Sequence, residues 1–273
     1  MNLDRKNLII IILIVLIVIS LSFSLMVLFN DNSSIKEDVS TNNLKEGDAG
    51  SINLDSNESY PDGPTDLAKI DSSNVPSKLI GENDLGTVEI MGPFGNTSSN
   101  IRIAYLIGMH PYESKAHKAL FDTVLSKNSS LRYCYYVYKI NVSNPDTDDE
   151  GRMDGQLLAQ EFLAPEVIDK DYDLVVDVHS NKGMRGGTYK ETNFIFAVGN
   201  DDKSNVVVNK LLSGLDELVY YFPEQQSSPP YITLPIERSG TPTINYETYC
   251  YEPMNRTYSL MNDFVNEVDN LEF

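Results

Sequence analysis

Basic residues and histidine are both scarce in this chain. Its 273 residues carry 21 Lys and Arg against 40 Asp and Glu, a formal net charge of −19, and only 3 His. No basic stripe exists that could track a phosphate backbone, which excludes nucleic acid as a partner. The 2 cysteines, Cys134 and Cys250, could form one bridge outside the cell. Each sits among tyrosines, a setting that argues against a catalytic thiol. No Gly-x-Ser-x-Gly element occurs, no glycine-rich phosphate loop follows a strand, and Ser180 has no evident base of its own. An internal repeat is also missing.

What the chain does have begins with an apolar run from Leu8 to Phe29. At about 1.5 Å per residue it is long enough to cross a hydrocarbon layer of roughly 30 Å. Arg5 and Lys6 precede it while Asp31, Glu37 and Asp38 follow. This asymmetry predicts an uncleaved single-pass anchor over residues 1–30, with a cytoplasmic amino terminus and an extracytoplasmic remainder. Residues 31–66 are Asn, Ser, Asp, Glu and Gly with isolated Leu or Ile, the composition of a flexible tether. Residues 67–273 are the right size for one domain with its own core. Asn-x-Ser/Thr triplets starting at Asn32, Asn57, Asn96, Asn128, Asn141 and Asn255 suit an external location.

Within that domain, strand patterns fall at Gly86–Met91, Ile101–Ile107, Leu131–Val142, Tyr172–His179, Thr192–Val198 and Thr241–Tyr249. Helical patterns fall at Ser114–Lys127, Gly155–Leu163, Ser204–Tyr220 and Asn255–Asn270. The turn-rich Gly92-Pro93-Phe94-Gly95-Asn96 suggests that the first two strands form an antiparallel hairpin. Alternation of strand and helix thereafter predicts an α/β fold, a mixed and mostly parallel sheet sandwiched by helices.

Two of the three histidines stand where such a fold gathers ligands. His110-Pro111-Tyr112-Glu113 follows the buried run Ile101–Ile107, and Asp177-Val178-His179 ends the run Tyr172–His179. Both lie outside the carboxyl ends of strands, so both face one crevice. His110, Glu113 and His179 form a plausible ligand set for one catalytic Zn2+, with a fourth position left for water. His117 is a rival ligand, because it shares a helix face with Glu113 four residues away. It ranks lower, as a partly exposed helix residue a full turn deeper. The acidic segment Asp146–Gly151 begins like a calcium loop, but Leu157 stands where the closing Glu belongs. It reads as a solvated loop.

The order of these elements, with Asn144-Pro145-Asp146, then Arg152, then a late strand carrying Glu247, resembles the zinc carboxypeptidase superfamily. In compact length it is most similar to the succinylglutamate desuccinylase and aspartoacylase branch. The resemblance implies that His110, Glu113 and His179 bind zinc, that Arg152 polarises the scissile carbonyl, and that Glu247 activates water. Where the branch places an Asn-Arg pair that grips a substrate carboxylate, this chain has Ala159-Gln160. Substrate binding then falls to Asn144, Gln160, Arg185 or Arg238. Residue parity supports two of these roles. Thr243, Asn245 and Glu247 share the polar face of their strand, and Asp177 lies on the face of His179, where it could accept a hydrogen bond from the imidazole.

The expectation is thus a membrane-anchored extracytoplasmic zinc-dependent amide hydrolase. Its substrate would be a peptide or an acylated amino acid, wall-derived or otherwise extracellular. The alternative is a non-catalytic tethered domain of the same fold that binds a wall polymer or peptide. Loss of the Asn-Arg pair favours the alternative, and the presence of Arg152 and Glu247 favours the enzyme.

Overall fold

The structure is a computed structural model that describes residues 74–146, 151–199 and 201–273. The apolar run 8–29 and the tether lie outside the described residues. Among the described residues, no helix is long and apolar enough to cross a membrane.

Eight strands form one sheet: β1 (Ser77–Asn83), β2 (Gly86–Gly95), β3 (Arg102–Ile107), β4 (Cys134–Val142), β5 (Leu174–Asn181), β6 (Phe194–Ala197), β7 (Val219–Tyr220) and β8 (Thr243–Tyr249). The helices are α1 (Ser114–Ser126), α2 (Arg152–Leu158), α3 (Ala164–Ile168), α4 (Gly183–Gly186), α5 (Asp202–Gly214), α6 (Thr233–Arg238) and α7 (Met254–Asn270), with a π-helical turn, Ala159–Leu163, joining α2 to α3. Spatial order is β1-β2-β4-β3-β5-β8-β6-β7. The centre, β4-β3-β5-β8, is parallel, while β1, β2 and β6 add antiparallel pairs.

The central strands are buried on both faces, as continuous apolar runs such as Leu174-Val175-Val176 require. On one face Ile103, Tyr105, Val176, Val178, Ile244 and Tyr246 pack against α1, α5 and α7. Tyr246 stacks on Phe264 of α7 with ring centroids 3.9 Å apart. On the other face Ala104, Leu106, Tyr138 and Val175 meet Leu158, Leu163, Val167 and Ile236 from the α2–α3 segment and α6. The sheet is therefore the middle layer of a sandwich, as the pattern predicts.

The expected hairpin between the first two predicted strands does not form. β2 pairs with β1, which the sequence pattern does not reveal, and with β4, so β4 separates β2 from β3. The Gly92–Gly95 stretch is not a turn but the end of β2. Its register shift against β4 between Met91 and Phe94 accommodates Pro93, which has no N–H to give to a ladder. The true hairpin turns between β1 and β2, where the Asn83 side chain accepts from Leu85 N at 2.8 Å.

Two consequences position a site. The chain leaves β3 for β4 on one side and later returns to place β5 on the other, which makes the carboxyl edge between β3 and β5 a switch point of the sheet. At that same edge the inward face of β5 and β8 changes from apolar to polar, through Asp177, His179, Asn245 and Glu247, all buried.

Candidate active site

Gly108 ends β3 with φ +89°, a conformation that favours glycine, and a Cβ there would stand 2.1 Å from the Ile140 carbonyl oxygen. The chain then breaks away from the sheet at His110, and the single turn Pro111–Glu113 aims Glu113 back over the end of β5. His110 Nδ1 lies 2.9 Å from Glu113 Oε1, and His179 Nδ1 lies 2.8 Å from Glu113 Oε2. Ser180 N also donates to Oε2 at 3.2 Å. Ligand atoms from all three side chains lie within 4.8 Å of one another, and all three residues are buried.

Burial at this density forces charge compensation. Desolvation pushes the His110 imidazole down to about 4, so it stays neutral, the form that can ligate a metal. His179 moves the other way: burial opposes its charge, but the Asp177 and Glu113 carboxylates prevail and raise it well above its ordinary value. Glu113 is also desolvated, yet the two imidazoles hold its carboxyl well below the usual range. Asp177 Oδ2 stands 2.9 Å from His179 Nε2, close enough for attraction but without the alignment of a hydrogen bond.

Two further groups border this cluster. Arg152, at the start of α2, donates from Nη1 to Glu113 Oε1 at 2.8 Å, with its side chain 28% exposed. Glu247 pairs in register with His179 across β5 and β8 and accepts from Asn181 Nδ2 at 3.3 Å. Burial pushes its carboxyl up to about 8, with the negative charge of Glu113 adding to the rise. A buried carboxyl perturbed this way beside a cationic partner in a crevice is a mark of functional sites.

The donor set fits zinc. Two imidazoles and a carboxylate are the ligand types of catalytic zinc sites, whereas calcium and magnesium prefer oxygen alone. Three buried carboxyl groups, Glu113, Asp177 and Glu247, have Arg152 and His179 as their cationic partners, and a divalent cation would offset the negative charge that remains.

His117 is not part of the cluster. It is fully buried rather than partly exposed, and its Nε2 lies 2.9 Å from the Val178 carbonyl oxygen, tying α1 to β5. Of the suggested substrate-binding residues, Asn144 is exposed in the link after β4, and Gln160 is exposed on the π-helical turn. Arg185 is exposed on α4, with its guanidinium 4.5 Å from the centroid of the Tyr251 ring. Arg238 ends α6 just before β8 begins, at the edge of the sheet opposite the site. Of the acidic loop, residues 147–150 lie outside the described residues, and Asp146 accepts a hydrogen bond from Tyr112 at 2.7 Å. Cys134 and Cys250 are free and buried.

The glutamine that does reach the site is Gln156, which sequence reasoning missed. Its Nε2 lies 3.3 Å from His110 Nε2 and 3.0 Å from Ser227 Oγ. The signal was present: α2 begins at Arg152, not at Gly155 as the pattern suggests, so Arg152 and Gln156 are one turn apart on one helix face. Gly155 lets that face approach. A Cβ there would stand 1.9 Å from the Met109 carbonyl oxygen, next to His110. Gly155→Ala should therefore destabilise the fold by about 1–3 kcal/mol through overpacking. Helix propensity alone would make the same change favourable by about 1 kcal/mol, so the sign of the shift in urea midpoint decides between them.

No family model and no curated protein matches the sequence. Solved structures do match. A metallo-carboxypeptidase from Burkholderia cenocepacia aligns at TM-score 0.50 and 10% identity over 76% of this chain and 67% of that one. A protein provisionally named carboxypeptidase A from Shewanella denitrificans OS-217 aligns at TM-score 0.51 and 14% identity over 75% of this chain and 66% of that one. The fold is that of the metallo-carboxypeptidases. At these identities the likeness extends to the fold alone, and the chain spans about two thirds of the length of these structures.

Proposed function

We propose that the chain is a zinc-dependent amide hydrolase whose centre is His110, Glu113 and His179. The observation that carries this reading is their convergence at the switch point of the sheet, with Arg152 and Glu247 bordering the same cluster. A zinc ion held there would supply Lewis acidity towards an amide carbonyl and towards water.

The protein's own residues would do the rest. Glu247, which burial alone keeps largely protonated at neutral pH, would be drawn back to its carboxylate form by a cation at the cluster. It would then take the proton of the attacking water and pass it to the leaving amine. Arg152, partly exposed and already aimed at Glu113, would hydrogen-bond the carbonyl oxygen as negative charge develops on it, an interaction worth several kcal/mol when preorganised. The Asp177 carboxylate behind His179 would hold that ring in place. Neither Gln160 nor Arg238 borders the cluster, and Gln156 carries no charge. Of the suggested residues, only the exposed Arg185, on α4 just past the carboxyl end of β5, could bring a positive charge to a free carboxylate. That an exposed arginine would replace a buried one favours internal or blocked amide bonds over strict carboxypeptidase action.

The apolar run Leu8–Phe29 and the charges that flank it support an extracytoplasmic, membrane-anchored domain. Wall-derived or other extracellular peptides are then the substrates it would meet. Intact cells carrying the full chain should hydrolyse membrane-impermeant wall peptides or blocked peptides, and external protease should abolish that activity. Hydrolysis confined to lysed cells would refute the location. If every amide tested stays intact while a wall polymer or peptide binds, the tethered binding domain is the correct reading.

A further inference from the structure

We propose that Gln156 is the positioning residue for His110: its carboxamide keeps the ring proton on Nε2, which leaves Nδ1 for the metal, and ties the ring to the loop that carries Ser227. The inference rests on the metal reading above and concerns how this chain holds one of its ligands.

The two imidazoles are supported unequally. His179 has a carboxylate, Asp177, at its Nε2. His110 Nε2 has Gln156, a neutral amide, and the glutamine itself is 1% exposed. Both histidines turn Nδ1 towards Glu113, so Nδ1 is the atom each would give to a metal. A neutral imidazole that ligates through Nδ1 carries its proton on Nε2, and that proton needs an acceptor.

Gln156 Oε1 is buried and has no hydrogen-bond partner, while Nε2 faces His110 and Ser227. A half-turn of the carboxamide exchanges the two atoms. The oxygen then accepts from His110 Nε2–H and from the Ser227 hydroxyl at once, the pairing that a metal on Nδ1 requires. A ring protonated on Nδ1 would instead donate to Glu113, and the amide nitrogen would face Nε2.

The ring is also linked to a loop. Ser227 is exposed in a segment pinned by the buried residues Pro223, Ser228 and Pro229, and Tyr189 donates to Gln225 O at 3.3 Å in the same segment. The loop side of the crevice therefore reaches His110 through one side chain.

The test is the zinc dissociation constant of the full chain in detergent, measured by competition with a chelating dye. Gln156→Leu should weaken zinc binding by about 10–100-fold, the usual cost of losing an outer partner of a ligand histidine. Gln156→Glu, which keeps the acceptor, should bind zinc at least as tightly as the parent. Gln156→Met serves as a second apolar variant if the leucine form fails to fold. Imidazole 15N spectra of the zinc-loaded parent should show His110 bound through Nδ1 and protonated at Nε2. Equal zinc affinity in the apolar variants, or His110 bound through Nε2, overturns the proposal while leaving the metal reading intact. Failure of the parent itself to bind zinc overturns both. A merely structural glutamine would lower the unfolding midpoint of the metal-free protein and would not be rescued by glutamate.

Discussion

Glu247→Gln should leave the fold and the zinc content intact and lower turnover by about 10²–10⁴, the range that general acid–base catalysis contributes. The side chain is buried beside His179 at the carboxyl edge of β8, and the substitution keeps its size and its hydrogen bond from Asn181. Removing a desolvated carboxylate that Glu113 already opposes has no stability cost to speak of. What disappears is the ability to accept and return a proton. Arg152→Ala should lower turnover by about 10²–10³ if the guanidinium serves the carbonyl oxygen. Steady-state kinetics on any amide the parent cleaves, with zinc content measured alongside, checks both. A Glu247→Gln enzyme as fast as the parent sinks the mechanism.

His179→Ala should abolish stoichiometric zinc binding. The parent should hold one zinc per chain through His110, Glu113 and His179, and zinc at 1,000 times its dissociation constant should stabilise it by about 4 kcal/mol through mass action. The variant should show neither effect. It also loses the cationic neighbour of Asp177 and Glu113, and two buried carboxylates left without it destabilise the metal-free domain. Elemental analysis and thermal unfolding with and without zinc make the comparison. A parent without bound divalent metal, or a variant that retains zinc in full, removes the basis for metal chemistry here.

The legible part of this site was the part written in local periodicity. A strand exposes alternate residues to one face, so Asp177 and His179 had to share a face, as did Asn245 and Glu247. A buried run closed by Gly108 placed His110 and Glu113 on the turn before α1, which begins at Ser114 where its pattern begins. The helix expected over Ser204–Tyr220 stops at Gly214, and the residues beyond it form the short strand β7, because an edge strand of two residues is too brief to show alternation.

The remainder depended on contacts between residues far apart in the chain. Strand pairing is non-local, so the turn chemistry of Gly92-Pro93 could not reveal that β4 enters between β2 and β3, or that β1 takes the hairpin. Burial of His117 comes from the packing of α1 on β5, where its ring meets the Val178 carbonyl, and the amphipathic pattern of α1 does not reveal that partner. The choice of Gln156 over Gln160 turns on where α2 starts and on the close approach of Gly155 to Met109. The sequence by itself determined the strand and helix periods, the parity of Asp177, His179 and Glu247, and the acidic balance that excludes nucleic acid. Only the tertiary structure decided which strands are neighbours and which polar side chains meet, because parity acts over two residues whereas the cluster joins side chains up to 69 positions apart, from His110 to His179.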